Sequence, residues 1–446
     1  MPMNRRKMAG FGAKRLGPVF ATLTLLSGCM AGIAPPSMLR MHDKVSPNSV
    51  AAQGALAPQA AVSSPLITDL LARQTVLPAG GAYAQVADAV VANSAGAAEA
   101  ELRVARLKAE AQSKNWLPQI GPQVTLTSLG GLAAGLLLEQ ALFDNGRRRA
   151  EREFAAADVE VAAVSLSTAM NQRVFDGLSY YVNAERARAQ ASVAEQAAGR
   201  LQAFAHIMQK RVAGGISDGS EQQVLNQQLA EMQATVAADR QAEATAMAEL
   251  AALAGRPMQG VTGLTDLPDL AAVAPEPLSV VKARGEGARA IAQAKMQISG
   301  LRPGLSATAG LGGGGINPGV RLNGGFLNPG TKDNIAALQQ TGDVVDRQTA
   351  EAAETANRRL VALAAQKANL ASRQAQGAEV LRQTDANLTL FTEQYKVGRR
   401  TLLELVGQYD AFARLQRDQA SLRYDMALID LEIARDRGVL VEGARL

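Results

Sequence analysis

The stretch LFDNG, residues 142–146, returns 184 positions later as FLNPG, residues 326–330. Gly214 in RVAGG and Gly398 in YKVGR keep the same spacing, and Pro118 recurs as Pro303. The pattern of each copy predicts a helix, two segments of alternating apolar and polar residues around a glycine turn, a very long helix and a last helix. Solenoid repeats have periods of about 20 to 50 residues. A repeat of 184 residues is much longer, so each copy is expected to form one half of the structure.

The repeat divides the chain into six predicted segments. Residues 83–257 form the first repeat and residues 276–440 the second, with a linker at 258–275 between them and a tail at 441–446. Residues 1–28 are predicted to be a signal peptide. Residues 29–82 are rich in Pro, Ala, Ser and Gly, which indicates a lipidated N-terminal linker that is either a tether or an irregular wrapping segment.

The N-terminus carries an export signal. Five cations accompany an apolar run, residues 19–26, that is too short to span a bilayer. The LSGC that ends at Cys29 resembles the lipobox of bacterial lipoproteins, which implies a covalent lipid on this sole cysteine; a chance LSGC is the alternative. Without residues 1–28 the chain has 41 basic and 41 acidic side chains, so the high pI gives no reason to expect nucleic acid as a partner.

Apolar and polar residues alternate on both sides of the glycine turns. Leu305, Ala307 and Ala309 alternate with Ser306 and Thr308, and residues 119–127 show the same period. Apolar-out, polar-in hairpins suit a transmembrane β-barrel wall, whose strands need about 9 to 11 residues. Two hairpins give four strands, which cannot close a barrel alone, so the pattern predicts partner subunits. A hairpin packed on a soluble core is the alternative.

Helical patterns fill most of the remaining chain. Helices are predicted at residues 83–115, 147–212, 217–254, 276–300, 331–396 and 401–435. The two longest would each reach about 100 Å at the α-helical rise. Each is about as long as two shorter helices laid end to end. The predicted fold is therefore mainly α with a small β part, built from long antiparallel helical hairpins with β-hairpins at one end and tight turns at the other.

Four segments resemble the TolC-like outer-membrane efflux proteins: NWLPQIG (115–121), QALFDNGRRRAE (140–151), ELAALAGRP (249–257) and YKVGRRTLLELVGQYDAF (395–412). The resemblance covers about residues 83–440. It implies a homotrimer whose twelve strands form a β-barrel in the outer membrane, continued by an α-barrel across the periplasm. It further implies a passive exit duct coupled through a periplasmic adaptor to an inner-membrane ABC or proton-driven transporter. Two departures are the short hairpins and FLNPGTKD in the second copy.

The same resemblance implies roles at the two helical tips. Arg211, Gly214 and Ile216 in one tip, and Val397, Gly398 and Arg399 in the other, would contact the adaptor; plain structural turns are the alternative, with glycine supplying a positive φ.

The resemblance also implies a pore gate beyond the second tip. Tyr395, Arg400 and Glu404 match positions that close the pore and line its constriction, and Gly407 replaces the family's second acid. An ion pair between Arg400 and Glu404 on one exposed helix face is the alternative.

Two aromatic residues suggest a membrane boundary. Trp116 and Phe143 stand where helices meet strands, which fits either an aromatic membrane interface or local packing.

The sequence gives no indication of an enzymatic function. The two histidines, His42 and His206, stand in no metal-ligand spacing, and the glycines of 312–315 lack a phosphate-loop lysine. No catalytic residue, metal site or cofactor beyond the lipid is predicted. The competing function is a lipid-anchored periplasmic coiled-coil scaffold or adaptor without a pore. The cargo stays open, and YKVGRRTLLEL favours type I secretion.

Overall fold

The computed structural model describes residues 64–445, apart from 128–130, 269, 271–274, 313–314 and 324–328. The predicted signal peptide, Cys29 and parts of both β-hairpin turns lie outside these residues. The described helices are α1 (Pro65–Ala72), α2 (Ala82–Ala92), α3 (Ala97–Ser113), α4 (Arg147–Ala213), α5 (Gly219–Ala254), α6 (Leu278–Gly300), α7 (Thr331–Gln339), α8 (Thr341–Lys396) and α9 (Leu402–Asp436). The described strands are β1 (Gln119–Thr127), β2 (Gly131–Phe143), β3 (Gly304–Gly312) and β4 (Gly315–Asn323).

The first long helix has the predicted extent, since α4 contains 67 residues. Its start is fixed by Asp144, whose carboxylate accepts the backbone N–H groups of Gly146 (3.0 Å) and Arg148 (2.9 Å). Gly146 adopts a left-handed φ of 84°, as LFDNG suggests. In the second copy Gly330 has a φ of −78°, so FLNPG makes a different entry into its helix.

Two predicted helices are interrupted. The second long helix is divided at Gln340 into α7 and α8. The helix predicted at 83–115 is divided into α2 and α3 by residues 93–96, where Gly96 has a left-handed φ of 66°. An Asn-Ser-Ala-Gly sequence is a turn signal, and it prevails here over the surrounding alanines.

All four strands belong to one antiparallel sheet in the order β1-β2-β3-β4. The β2–β3 pairing joins the two repeats, with Leu138 opposite Ala309 and a bulge between Ala141 and Phe143. Every connection between strand and helix therefore leaves the same end of the sheet.

Helix α4 packs along α3, α5, α6 and α9, so it forms the centre of the described fold. One apolar cluster, which includes Val174, Leu178 and Tyr181, joins α4 to α2, α9 and the loop after α5. A second cluster, which includes Leu201, Met208 and Tyr409, joins the ends of α4, α5, α8 and α9.

The described part of the N-terminal linker wraps the fold. The buried Arg73 donates to the backbone oxygens of Arg437 (2.7 Å) and Glu276 (3.0 Å), and the N–H of Val76 donates to the oxygen of Val439 (2.9 Å). These bonds attach the N-terminal segment to both the loop before α6 and the segment after α9. Of the two interpretations, the wrapping segment describes residues 64–81.

Candidate functional site

The sheet has one apolar face. Ile120, Leu138, Ala309 and Pro318 stand opposite one another across the four strands, so they share this face. The neighbouring rows on this face add six exposed apolar side chains: Val124, Leu136, Leu311, Ile316, Val320 and Leu322. The alternation predicted from the sequence is confirmed, and it produces an exposed apolar surface rather than a packed core.

The opposite face is polar and rich in glycine. Asn323 donates its amide to Ser306 Oγ (2.7 Å) and to Glu139 Oε1 (3.3 Å) across the strands. Arg321 stands opposite Ser306, and Gly319 opposite Thr308. A polar face of this kind suits contact with water.

Both edges of the sheet are open in the described protomer, because β1 pairs only with β2 and β4 only with β3. The strands contain 9, 13, 9 and 9 residues. This is about the length of 9 to 11 residues that tilted transmembrane strands need. An open edge exposes unpaired N–H and C=O groups, which lipid cannot satisfy.

Exposed aromatic residues mark the end of the sheet that joins the helices. Trp116 is 61% exposed and Phe143 is 60% exposed. The side-chain amide of Gln140 donates to the backbone oxygen of Trp116 at 3.1 Å, which ties this corner to β2. Such exposure contradicts the local-packing interpretation of the two rings.

The tip between α4 and α5 ends in a left-handed glycine, but at a different position from the predicted one. Gly214 has a φ of −84°, whereas Gly215 has a φ of +71°. The N–H of Ile216 donates to the oxygen of Arg211 (2.9 Å) and that of Gly215 to Val212 (3.0 Å), which is a Schellman motif. The prediction of a positive φ at Gly214 was wrong because this motif places the left-handed residue one step later.

The tip between α8 and α9 repeats the same motif. Gly398 has a φ of +75°, the N–H of Arg399 donates to the oxygen of Gln394 (2.9 Å), and that of Gly398 donates to Tyr395 (2.9 Å). Gly215 and Gly398 are thus the structural equivalents. Each tip exposes one apolar side chain, Ile216 (69%) and Val397 (68%).

The predicted gate residues lie together beside the second tip. The Arg400 guanidinium donates to Gln394 Oε1 (3.0 Å) and Glu404 Oε1 (3.3 Å), and it stacks 4.6 Å from the centre of the Phe391 ring. Arg400 and Glu404 are both exposed and form the ion pair of the alternative interpretation, although Arg400 lies in the turn before the Thr401 N-cap of α9 and not on a helix face. Tyr395 packs against the second apolar cluster. A gating role stays a prediction.

Glu404 also caps the N-terminus of helix α9. Thr401 and Glu404 form a capping box at the start of α9, in which the Thr401 N–H donates to Glu404 Oε2 (3.0 Å) and the Glu404 N–H donates to Thr401 Oγ1 (3.2 Å). The backbone N–H of Thr401, aided by the Arg400 charge, holds the pKa of the Glu404 carboxyl below its usual value. Glu404 is therefore an anion at neutral pH.

Two polar contacts that sequence analysis missed join separate elements. Arg417 on α9 makes a bidentate ion pair with the buried Asp239 on α5. The loop after α5 is held from both sides at Gly263, whose N–H donates to Glu185 Oε2 (2.9 Å) and whose oxygen accepts from Tyr181 (2.8 Å). Neither pair has a signal in the sequence, because the partners are 178 and 78 to 82 residues apart.

The described ranges contain neither a metal-binding cluster nor a long apolar helix. No cluster of three or more His, Cys, Asp and Glu side chains there has the arrangement to hold a metal ion. None of the helices in those ranges combines the length and the hydropathy needed to cross a membrane.

No family model and no curated protein matches the sequence. Solved structures do match. The Campylobacter jejuni CmeC outer membrane channel is 12% identical, covers 81% of this chain and 86% of its own, and gives a TM-score of 0.68. The Vibrio cholerae outer membrane protein VceC is 15% identical, with 80% and 96% covered and a TM-score of 0.70. The open state of the Neisseria gonorrhoeae MtrE outer membrane channel is 14% identical, with 83% and 95% covered and a TM-score of 0.66.

This likeness confirms the fold that the sequence resemblance implied. The chain has the TolC-like fold of outer-membrane efflux channels, mainly α, with long antiparallel helical hairpins and two β-hairpins that supply four strands per protomer.

Proposed function

We propose that this protein is the outer-membrane exit duct of a tripartite efflux or type I secretion system. The observation that carries the proposal is the two-faced sheet, with an apolar exposed face, a polar face and two open edges, at one end of long helices. Lipid suits the apolar face, water suits the polar face, and further strands suit the edges. Substrate would pass from an inner-membrane pump through a periplasmic adaptor to the exterior.

The open edges also support a homotrimer. Closed β-barrels begin at about eight strands, so one chain with four strands is insufficient. Three chains give twelve strands, the number implied by the family resemblance. In that assembly β1 of each protomer pairs with β4 of the next, so no edge meets lipid.

A periplasmic scaffold without a pore is the second candidate, and the apolar face argues against it. Soluble proteins rarely expose contiguous apolar surfaces unless those surfaces bind something. Val320 and Leu322 are each at least 70% exposed in the edge strand β4. A scaffold would gain nothing from such a strand.

Two neighbouring substitutions distinguish the candidates. Val320→Arg places a charge on the apolar face, and Asn317→Arg places the same charge on the polar face of the same strand. Both positions are exposed, so neither change disturbs packing within the protomer. For a barrel, an arginine facing lipid costs about 2–4 kcal/mol near the midplane, so Val320→Arg should reduce trimers in outer-membrane fractions while Asn317→Arg assembles. Equal assembly of both variants, with no single-channel conductance from purified protein in a planar bilayer, would favour the scaffold.

The gate is proposed at Arg400, Tyr395 and Glu404. If Arg400 and Tyr395 hold the periplasmic end closed, Tyr395→Phe with Arg400→Ser should raise conductance in planar bilayers. Glu404→Gln should leave closure unchanged and weaken cation preference, because a ring of three carboxylates attracts cations and Gln still completes the capping box. Arg382→Ser, an exposed arginine elsewhere on α8, is the matched control. Wild-type behaviour of both gate variants would leave Arg400 and Glu404 as an ordinary surface pair.

The tips are the proposed adaptor contact. Ile216 and Val397 each present an exposed apolar side chain next to the cations Arg211 and Arg399, which suits docking of a protein partner. Val397→Asp should abolish site-specific crosslinking to the adaptor in cells. Export of the cargo should fail with it, while trimer assembly is retained.

The remaining components of the proposal concern the anchor and the cargo. Cys29 would carry the lipid that holds the N-terminus at the outer membrane, with the helices extending into the periplasm. Drugs and secreted proteins are both compatible with this duct. A neighbouring gene for a protein-exporting ABC transporter, rather than for a proton-driven drug pump, would identify type I secretion.

A further inference from the structure

We propose that the end of the sheet next to the helices binds anionic phospholipid headgroups through a ring of exposed cations, here called the basic collar. The collar consists of Lys114, Arg147, Arg149, Lys295, Arg302 and Lys332. The inference rests on the proposed function, because it requires the sheet to lie in a bilayer.

The topology brings the collar to one level of the molecule. The register places Gln119 beside Glu139, Phe143 beside Leu305 and Gly304 beside Asn323 at one end of the sheet. Helices α3, α4, α6 and α7 all meet the strands there, and each contributes at least one collar cation or the turn that carries it.

Positive charge is concentrated at this level. Residues 110–118, 144–153, 295–303 and 329–333 hold eight basic and five acidic side chains, a net charge of +3 per protomer. The whole chain after residue 28 is balanced, with 41 basic and 41 acidic side chains. A local excess of this kind complements a negatively charged surface, and basic residues close to an anionic membrane each add to its attraction.

The ion pairs within the collar leave its cations accessible. Lys114 pairs with Glu110 (3.0 Å) and Arg147 with Glu151 (3.1 Å), while Arg149 (3.0 Å) and Lys295 (2.9 Å) share Glu153. The Arg149 side chain is nevertheless 80% exposed, and exposed pairs of this type are weak. Their cations can therefore exchange a carboxylate for a phosphate at little cost.

Helix stability does not explain three consecutive arginines at the start of α4. The first turn of α4 contains no acidic residue, and cations at a helix N-terminus oppose the helix dipole. Consecutive helical residues point about 100° apart, so residues 147–149 spread their charges over more than half of the helix circumference. At least one of these guanidinium groups then lies on the side of the sheet's apolar face.

The collar continues the apolar face without a gap. Leu142 and Phe143 at the end of β2, and Trp116 and Leu117 just before β1, are exposed next to the collar cations. Where a protein surface passes from the hydrocarbon to the headgroups, it presents first apolar side chains, then aromatic rings and then cations. An anionic lipid surface is the partner that fits all three layers.

Trp116 is the only tryptophan in the chain, so its fluorescence reports directly on the lipids around the collar. We would reconstitute the full-length trimer in bilayers of phosphatidylcholine mixed with phosphatidylglycerol, with bromine on the acyl chains of one lipid or the other. Brominated chains quench indole fluorescence on contact. The expected result is stronger quenching by brominated phosphatidylglycerol, by about fivefold in relative lipid affinity, because one cation near an anionic surface contributes about that factor.

Substitutions and salt then identify the source of the preference. Arg147→Gln with Arg149→Gln should remove most of it, Arg147→Lys with Arg149→Lys should retain it, and Arg358→Gln on α8 should have no effect. High salt should also reduce it, since exposed charges are screened. Circular dichroism confirms that each variant is folded.

Three outcomes are distinguishable. Preferential quenching by the anionic lipid supports the collar. Equal quenching by both lipids overturns the collar and leaves the sheet in the membrane. Absence of quenching by either lipid overturns the membrane insertion of this corner, and with it the proposed function.

Discussion

The ion pair between Arg417 and Asp239 gives the sharpest test of how the two helical hairpins are held together. Asp239 Oδ2 accepts from Arg417 Nε at 3.0 Å, and a second hydrogen bond makes the pair bidentate. The Asp239 side chain is 8% exposed and the Arg417 side chain 30%. The hydrogen bonds that Arg417 donates to the Asp239 carboxylate raise the pKa of Arg417.

This difference in exposure predicts unequal costs for the two single variants. Arg417→Ala leaves a buried carboxylate without its partner, which should lower the free energy of unfolding by about 2–3 kcal/mol, the lower range for such pairs because Arg417 is partly exposed. Asp239→Ala leaves a guanidinium that can reach water, so about 1 kcal/mol is expected. The double variant leaves no unpaired buried charge. It should therefore be more stable than Arg417→Ala alone.

A double-mutant cycle measures this coupling. Denaturant unfolding followed by circular dichroism, at one fixed protein concentration, gives the four free energies. The control cycle uses Arg240 and Glu195, an exposed pair between α5 and α4 that should couple by at most about 0.5 kcal/mol. The reasoning is refuted if the losses of unfolding free energy in the two single variants simply add in the double variant. It is also refuted if the coupling energy is no larger than that of the control pair.

The other predictions concern the anchor and the tips. Radioactive palmitate should label the wild type and not Cys29→Ala; equal labelling would exclude a lipid on this cysteine. Gly215→Ala should cost about 1 kcal/mol of stability because φ is +71°, whereas Gly214→Ala at a φ of −84° should cost less, as thermal unfolding of both variants will show. Thr401→Ala should cost about 1 kcal/mol through loss of the α9 cap. Because the folded-state pKa of Glu404 is lowered, its stabilising contribution is present above the unfolded-state pKa and is lost as the pH falls through the lowered folded-state value. Glu404→Gln should flatten this acid dependence in pH titrations of stability, and an unchanged profile would contradict it.

The periodicity of apolar residues predicted the helices and strands more accurately than the breaks within the helices. The apolar repeat that defines α4 runs without proline from Arg147 to Ala213, so its length followed directly from the sequence. The break at Gln340 has a weaker signal, because no proline stands there and the nearby Gly342 lies within α8 without a left-handed φ. Alternation likewise placed Ala309 on the apolar face, since strand geometry admits only two faces.

Contacts distant in sequence were beyond that kind of reasoning. A double glycine at 214 and 215 predicts a turn, but only the packed Schellman motif determines which glycine becomes left-handed. The bond from Gly263 to Glu185 depends on where a loop is laid across α4, which composition does not encode. In the gate region, the spacing of four predicted the pairing of Arg400 with Glu404, but Arg400 lies in the turn between the helices, and its bond to Gln394 arises from that turn.

The pairing of β2 with β3 has a consequence for the time course of biosynthesis. Leu138 finds its partner Ala309 only about 170 residues later, so the first β-hairpin is complete long before β3 is synthesised. During that interval it carries an apolar face and a free β2 edge in an aqueous compartment, the condition under which strands aggregate. For the outer-membrane duct proposed above, productive folding then depends on delay: the hairpins must stay shielded until the second repeat is made, and only then can both enter the membrane as one unit.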